Sequence, residues 1–282
     1  MKKLMLLCAA FALTMSSYGQ VKAPQPSPSS KLEQKVGLTD FTIEYSRPSM
    51  RGRTVFGDLV PFDKKWRTGA NKNTTITFTD NVVIGDYTLK PGSYAIYTKP
   101  GESLWEVYFY ANTDNWGLPE KWDEANVAAI AKVKSYSLPF DVQTFTIDIN
   151  NITNGGGTID MIWEKTYIAI PFSVPTDDKV LASINESLNG NPTDKDYFAA
   201  AMYYYQEGKD INQAKEWMDK AINMTDNPQF WQLRQQSLIY AKAGDTKGAI
   251  DIAKQSLEGA KAAGNEDYVK MNMDSLKEWG AM

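Results

Sequence analysis

The sequence predicts two domains of different class: a mainly β N-terminal domain, sandwich or barrel-like, over residues 31–174, and an all-α domain of helical hairpins over residues 176–282. From Lys31 onward, short runs of β-branched and aromatic residues alternate with polar ones at period two, and Gly, Pro, Asn and Asp punctuate them. After Pro175 the composition turns to Ala, Lys, Glu and Gln with helical periodicity and cap signals. A chain of 282 residues is long enough for both domains to bury a core of their own.

The chain opens with Lys2 and Lys3, an apolar run from Leu4 to Met15, and small residues at Ser17 and Gly19. This is the pattern of an export signal over residues 1–19, cleaved after Gly19, which places the protein in the periplasm or outside the cell. The apolar run is shorter than the roughly twenty residues a membrane helix needs, so no span is expected in the mature form. The single cysteine, Cys8, follows Leu7 where a lipidated cysteine would follow a small residue. The mature chain is therefore expected to lack any thiol, and with it disulfides and thiolate chemistry. Residues 20–30 are Pro, Ser, Gln and Lys with almost nothing apolar, the composition of a flexible leader.

Strands follow. Phe41, Ile43 and Tyr45 alternate with Thr42, Glu44 and Ser46; Ile76 and Phe78 alternate with threonines; Trp105, Val107 and Phe109 alternate with Glu106 and Tyr108. Further strands are predicted over residues 94–98, 127–134, 144–149, 158–163 and 167–174, with turns at Asp80-Asn81, Pro91-Gly92, Pro100-Gly101 and Asn154-Gly155. In the helical part Thr193 to Asp196 forms a capping-box pattern. Tyr204, Gly208, Ala214 and Ala221 line up with Tyr240, Gly244, Ala249 and Ser256, a self-similarity near thirty-five residues that looks like two tetratricopeptide-type hairpins. Helices over residues 178–188 and 266–279 would complete the array, and such an array implies a protein partner.

Composition narrows the chemistry. With a formal net charge of −4 the chain lacks the basic footprint of a nucleic-acid binder. It contains no histidine, which removes the usual general base at neutral pH and most zinc or copper sites. No cofactor and no metal is expected. Against that acidic background the stretch from Tyr45 to Asn71, with Lys72 next to it, concentrates Arg47, Arg51, Arg53, Lys64, Lys65, Arg67 and Lys72 against only Asp58 and Asp63. Arg47 either pairs with an acid such as Glu44 or Asp58 or faces a ligand. Arg47, Arg51, Arg53, Trp66, Arg67 and Asn71 together suit a small anionic or glycan ligand, because guanidinium forks grip carboxylates and phosphates and an indole stacks on a sugar ring. Thr68 and Asn73 add neutral donors and acceptors. The Trp, Phe and Val content of this stretch predicts a packed loop across one sheet. A second polar-aromatic spot, Asn112, Asp114, Asn115, Trp116 and Gly117, reads as a tight turn with Trp116 as a lid on the core.

The runs Tyr45-Ser-Arg-Pro-Ser, Arg51-Gly-Arg, Val55-Phe-Gly, Leu59-Val-Pro, Trp66-Arg-Thr-Gly-Ala-Asn and Leu89-Lys-Pro-Gly-Ser-Tyr resemble the domain-of-unknown-function family 2911 of exported bacterial proteins. The resemblance spans roughly Lys31 to Val174. It implies no activity and no catalytic residues, because the family has none assigned; a helical tail of tetratricopeptide character is similar to the arrangement in part of that group.

Two functions fit the sequence: a non-enzymatic exported binding or interaction protein, or a histidine-independent hydrolase of glycans working through paired carboxylates, with Asp114, Glu120, Asp123 and Glu124 as available acids. The first is preferred, since no pattern holds two of those acids at a working separation. N-terminal sequencing of protein from the native host is expected to start at Gln20; a chain retaining Met1 in the cytoplasmic fraction would contradict export.

Overall fold

A computed structural model describes residues 23–282, and the expected export signal and the start of the leader lie outside the described residues. The chain divides into two compact units, the first ending at Thr176 and the second running from Asp177 to Met282.

The first unit is a nine-stranded antiparallel sheet built from β1 (Ser29–Val36), β2 (Thr39–Ser46), β3 (Thr75–Phe78), β4 (Val82–Ile84), β5 (Tyr87–Leu89), β6 (Gly92–Lys99), β7 (Leu104–Tyr110), β8 (Val127–Thr153) and β9 (Gly156–Ser173). Its spatial order is β1-β2-β3-β6-β7-β8-β9-β4-β5. The long β8 belongs to both halves, pairing with β7 up to Lys134 and with β9 from Ser135 onward. The halves face each other: Phe41 of β2 packs 4.9 Å from Phe172 of β9, and the Tyr45 hydroxyl donates to Ile147 O and accepts from Ile147 N. These strands are not sheet neighbours, so the contacts run across a shared core, as in a sandwich.

The expected alternation holds on β2, where Phe41, Ile43 and Tyr45 are buried while Asp40 and Glu44 face water. On β7, Trp105, Val107 and Phe109 enter the main core, but Tyr108 and Tyr110 on the opposite face are also buried, with Ala95 and Tyr97, beneath Trp122. Two pairs of predicted strands turn out to be single strands. The stretches 127–134 and 144–149 join as β8, because Pro139, which has no N–H to give a ladder, falls where pairing skips from Ser137 to Val142. The stretches 158–163 and 167–174 join as β9, which bends at Glu164 with a φ of +52°. The leader, expected to be flexible through Ser30, is fixed from Gln25: its carbonyls accept hydrogen bonds from the arginine-rich segment, and Ser29 already belongs to β1.

The helices are α1 (Thr176–Asn189), α2 (Asp194–Gln206), α3 (Ile211–Asn223), α4 (Phe230–Lys242), α5 (Thr246–Ala262) and α6 (Glu266–Glu278), and all but the first residue of α1 belong to the second unit. The capping box before α2 forms, with Thr193 N donating to Asp196 Oδ2 and Asp196 N to Thr193 Oγ1. Gly208 and Gly244 end α2 and α4 at positive φ, which L side chains resist. Ala214, Ala221, Ala249 and Ser256 are all buried, consistent with close helix approach at these small residues.

The irregular segment between β2 and β3 is clamped to β9 by Glu164, whose carboxylate accepts from Val55 N at 3.2 Å and Phe56 N at 3.3 Å. Glu164→Ala is expected to cost about 1.5–3 kcal/mol, the range for hydrogen bonds to a charged group, in urea denaturation. It should also speed amide exchange at Val55 and Phe56; unchanged exchange there would refute the clamp.

Candidate functional site

The arginine-rich segment has no ladder of its own and borrows two. Ser49 bridges to Thr144 of β8, with Met50 N donating to Gln143 O at 2.8 Å; further on, Trp66 bridges to Thr98 of β6 through N–H···O contacts of 2.7 and 3.0 Å. Between these tethers Val55, Phe56 and Val60 enter the core, so the segment is the packed loop its composition predicts.

The six residues singled out divide into different roles. Arg47 sends Nε to Phe145 O at 3.0 Å and Nη2 to Thr146 Oγ1 at 2.7 Å. Arg51 reaches Pro26 O, and Arg53 folds back on Met50 O and Ser49 O. Asn71, at a φ of +60°, holds Gln25, Ser27 and Ser46 through its side-chain amide. Trp66 lies stacked on Trp163 at 5.8 Å and edge-on to Phe145 at 5.1 Å, so its ring serves the core. The salt bridge considered for Arg47 is not made: among the described residues none of Arg47, Arg51, Arg53 and Arg67 has a carboxylate within 4 Å.

Arg67 stands apart from the other three. Its Nη1 donates to Asn71 O at 3.2 Å, and its guanidinium lies flat against the backbone of Gly117, where a β-carbon would stand 2.9 Å from Cζ. Gly117 has a φ of +96°, so glycine is required twice over, by conformation and by space. Next to this pair are Asn73, Tyr97 and Asn115. The fully buried Tyr97 hydroxyl donates to Gly117 O at 3.2 Å and accepts from Asn115 Nδ2 at 3.4 Å. Burial pushes the Tyr97 phenol up from its ordinary pKa, opposed by Asn115, Asn73 and the Arg67 charge. Asn73 is 4% exposed, and both its amide nitrogen and its amide oxygen are sealed from solvent with no partner at hydrogen-bond geometry, although the amide stands close enough to the Tyr97 hydroxyl to act on it. An unmet buried amide costs about 1–3 kcal/mol per group, so this corner is under-satisfied.

Asn73 stands at the wall of a pocket of about 280 Å³ that also takes in Lys31, Glu44, Ser46 and Lys72. Asn115 borders a second, of about 430 Å³, with Tyr110, Lys121, Trp122, Asp123 and Glu124. Nearby, Lys65 places its ammonium 4.4 Å above the Trp122 ring. The stretch from Asn112 to Gly117 therefore does meet the arginine-rich segment, at Arg67 and Tyr97. Trp116 is not the expected lid on the core: it is 70% exposed, and Trp122 is the ring that covers the tyrosines. A signal for Tyr97 was present, because the unbroken run Tyr94-Ala95-Ile96-Tyr97 in β6 is the pattern of a strand buried on both faces, but the run was read only as one strand.

The acids available for carboxylate chemistry are scattered in role. Asp123 caps the short turn Glu124–Asn126 by accepting from Ala125 N, Glu124 borders the same pocket, and Asp114 and Glu120 are exposed. No helix among the described residues is long and apolar enough to cross a membrane.

No curated protein and no solved structure matches the chain. A family model described as "Protein of unknown function (DUF2911)" matches residues 27–172. That match covers just over half of the chain and the whole arginine-rich segment, Arg67 and Asn73 included, and the protein belongs to the DUF2911 family.

Proposed function

We propose that the protein is an exported binding protein whose β domain takes a small anionic or carbohydrate ligand at the corner formed by Arg67, Asn73, Tyr97 and Asn115. The helical domain, in this reading, is an array of tetratricopeptide-like hairpins that receives a protein partner. One observation carries the first part: a buried amide with neither atom bonded lies in the same corner as a guanidinium with no carboxylate partner. A ligand offering a hydroxyl beside a carboxylate or phosphate would supply the acceptor that Asn73 Nδ2 and Arg67 need and the donor that Asn73 Oδ1 needs.

Access runs through the roof over the corner. Asn73 N to Asn115 O at 3.4 Å, Asn115 Nδ2 to Tyr97 Oη at 3.4 Å and Tyr97 Oη to Gly117 O at 3.2 Å all lie at the long end of hydrogen-bond geometry. Such bonds open at low cost, and exposed Trp116 at the tip offers a face for a sugar ring. Within the first-chosen set, Arg67 keeps a ligand role, while Arg47, Arg51, Arg53, Trp66 and Asn71 shape the wall that carries it.

Thermal shift on the mature chain with gluconate, galacturonate, inorganic phosphate and a neutral methyl glucoside tests the reading. A ligand present at a hundred times its dissociation constant stabilises by about 2.7 kcal/mol. Arg67→Ala is expected to abolish that shift with little loss of basal stability. Arg47→Ala, which strips two bonds from β8, is expected to lose about 1–3 kcal/mol while binding persists. Binding undiminished in Arg67→Ala would refute the corner, and turnover of a glycan by the wild type would replace binding with hydrolysis.

A further inference from the structure

The helical unit contains a charge that its fold does not neutralise. Arg234 of α4 is 9% exposed, yet its single hydrogen bond among the described residues runs from Nη1 to the neutral Ser275 Oγ of α6 at 3.0 Å, and no carboxylate lies within 4 Å of it. Tyr205 of α2 and Tyr268 and Asp274 of α6 are near enough to act on its charge. Asp274, the one acid of that group, is already paired with Lys270 at 2.5 Å. The guanidinium thus sits where α2, α4 and α6 approach one another. Its Nε and Nη2 make no hydrogen bond among the described residues, and neither is fully sealed from solvent.

A purely structural role does not account for this. One bond to a neutral hydroxyl offsets only part of the cost of taking a guanidinium largely out of water without a counter-charge. A leucine or methionine would hold α4 against α6 better. The neighbouring turn of α6 has the same character: Asn272 is fully buried, its Nδ2 donates to Ser256 Oγ of α5 at 2.9 Å, and its Oδ1 has no partner. The helical core thus holds two polar side chains whose hydrogen bonding within it is incomplete.

We propose that Arg234 is the anchor for a ligand carboxylate, gripped by the free edge of the guanidinium with the Ser275 hydroxyl beside it. This gives a chemistry to the partner assigned above to the helical domain and rests on that reading; it is independent of the corner at Arg67. The carboxylate belongs either to a peptide or to a small dicarboxylate, since a planar fork recognises both in the same bidentate way.

The test uses the full mature chain with three probes: glutarate, a short acidic peptide with a free C-terminus, and the same peptide amidated at its C-terminus. Binding is followed by calorimetry to the wild type, Arg234→Met and Arg234→Lys. The wild type is expected to bind glutarate or the free-acid peptide. Arg234→Met should weaken that binding by about tenfold or more while melting at the same temperature or higher, because it removes an unpaired buried charge. Arg234→Lys keeps the charge but not the fork and should fall between them, which covers the case of a Met variant that does not fold. Loss of peptide binding on amidation assigns a chain terminus; equal binding of glutarate assigns a small dicarboxylate. Peptide binding that survives both substitutions overturns the role of Arg234 and leaves the helical domain its partner. No binding of any probe to the wild type overturns the proposal outright.

Discussion

Segment 47–74 leaves the regular ladder between β2 and β3, so every backbone group it buries must find a partner outside the usual hydrogen-bond pattern, and the β domain depends on how that is met. Arginines meet the carbonyls: Arg47 takes Phe145 O, Arg53 takes two oxygens of its own turn, and Arg51 takes Pro26 O. A carboxylate meets the amides, Glu164 accepting from Val55 N and Phe56 N. The charged side chains are therefore spent on the main chain rather than on one another. This explains how a strongly basic stretch can lie across a sandwich without an ion pair at any of its arginines. Arg67 follows the same rule through Asn71 O and differs from the others in lying flat under Gly117.

Much of the fold was legible in the sequence. The alternation on β2, β3 and β7 and the cap at Thr193 were each set by local chemistry that a residue pattern exposes. The merging of two strands into β8 was not, because Pro139 reads as a break and only the partner strand shows that the gap in pairing spares the extended path. The ordered leader was hidden for a similar reason: Gln25 to Pro28 bury little, and their hold comes from donors at positions 47, 51 and 71.

The candidate site was legible as a region and not as a constellation. Clustered arginines pointed to the right segment, but charge alone cannot say whether a guanidinium will meet a carbonyl, an acid or a ligand. The decisive residues, Asn73 and Tyr97, matter because of what they lack or what buries them, and both properties belong to the assembled sheet. Arg234 carried no signal at all, being one cation in a helix of mixed polar and apolar residues until α6 is packed against it.

The sharing of β8 between the two halves of the sheet has a kinetic consequence. The Tyr45 to Ile147 contact that joins the halves closes a loop of 102 residues, and contacts so distant along the chain form late because the chain entropy is lost before the contact returns anything. Once β8 detaches, β7 and β9 lose a neighbour together and the two halves are no longer joined through the sheet. The sandwich should accordingly fold slowly, on the millisecond to second scale of non-local β topologies, and come apart in a single step.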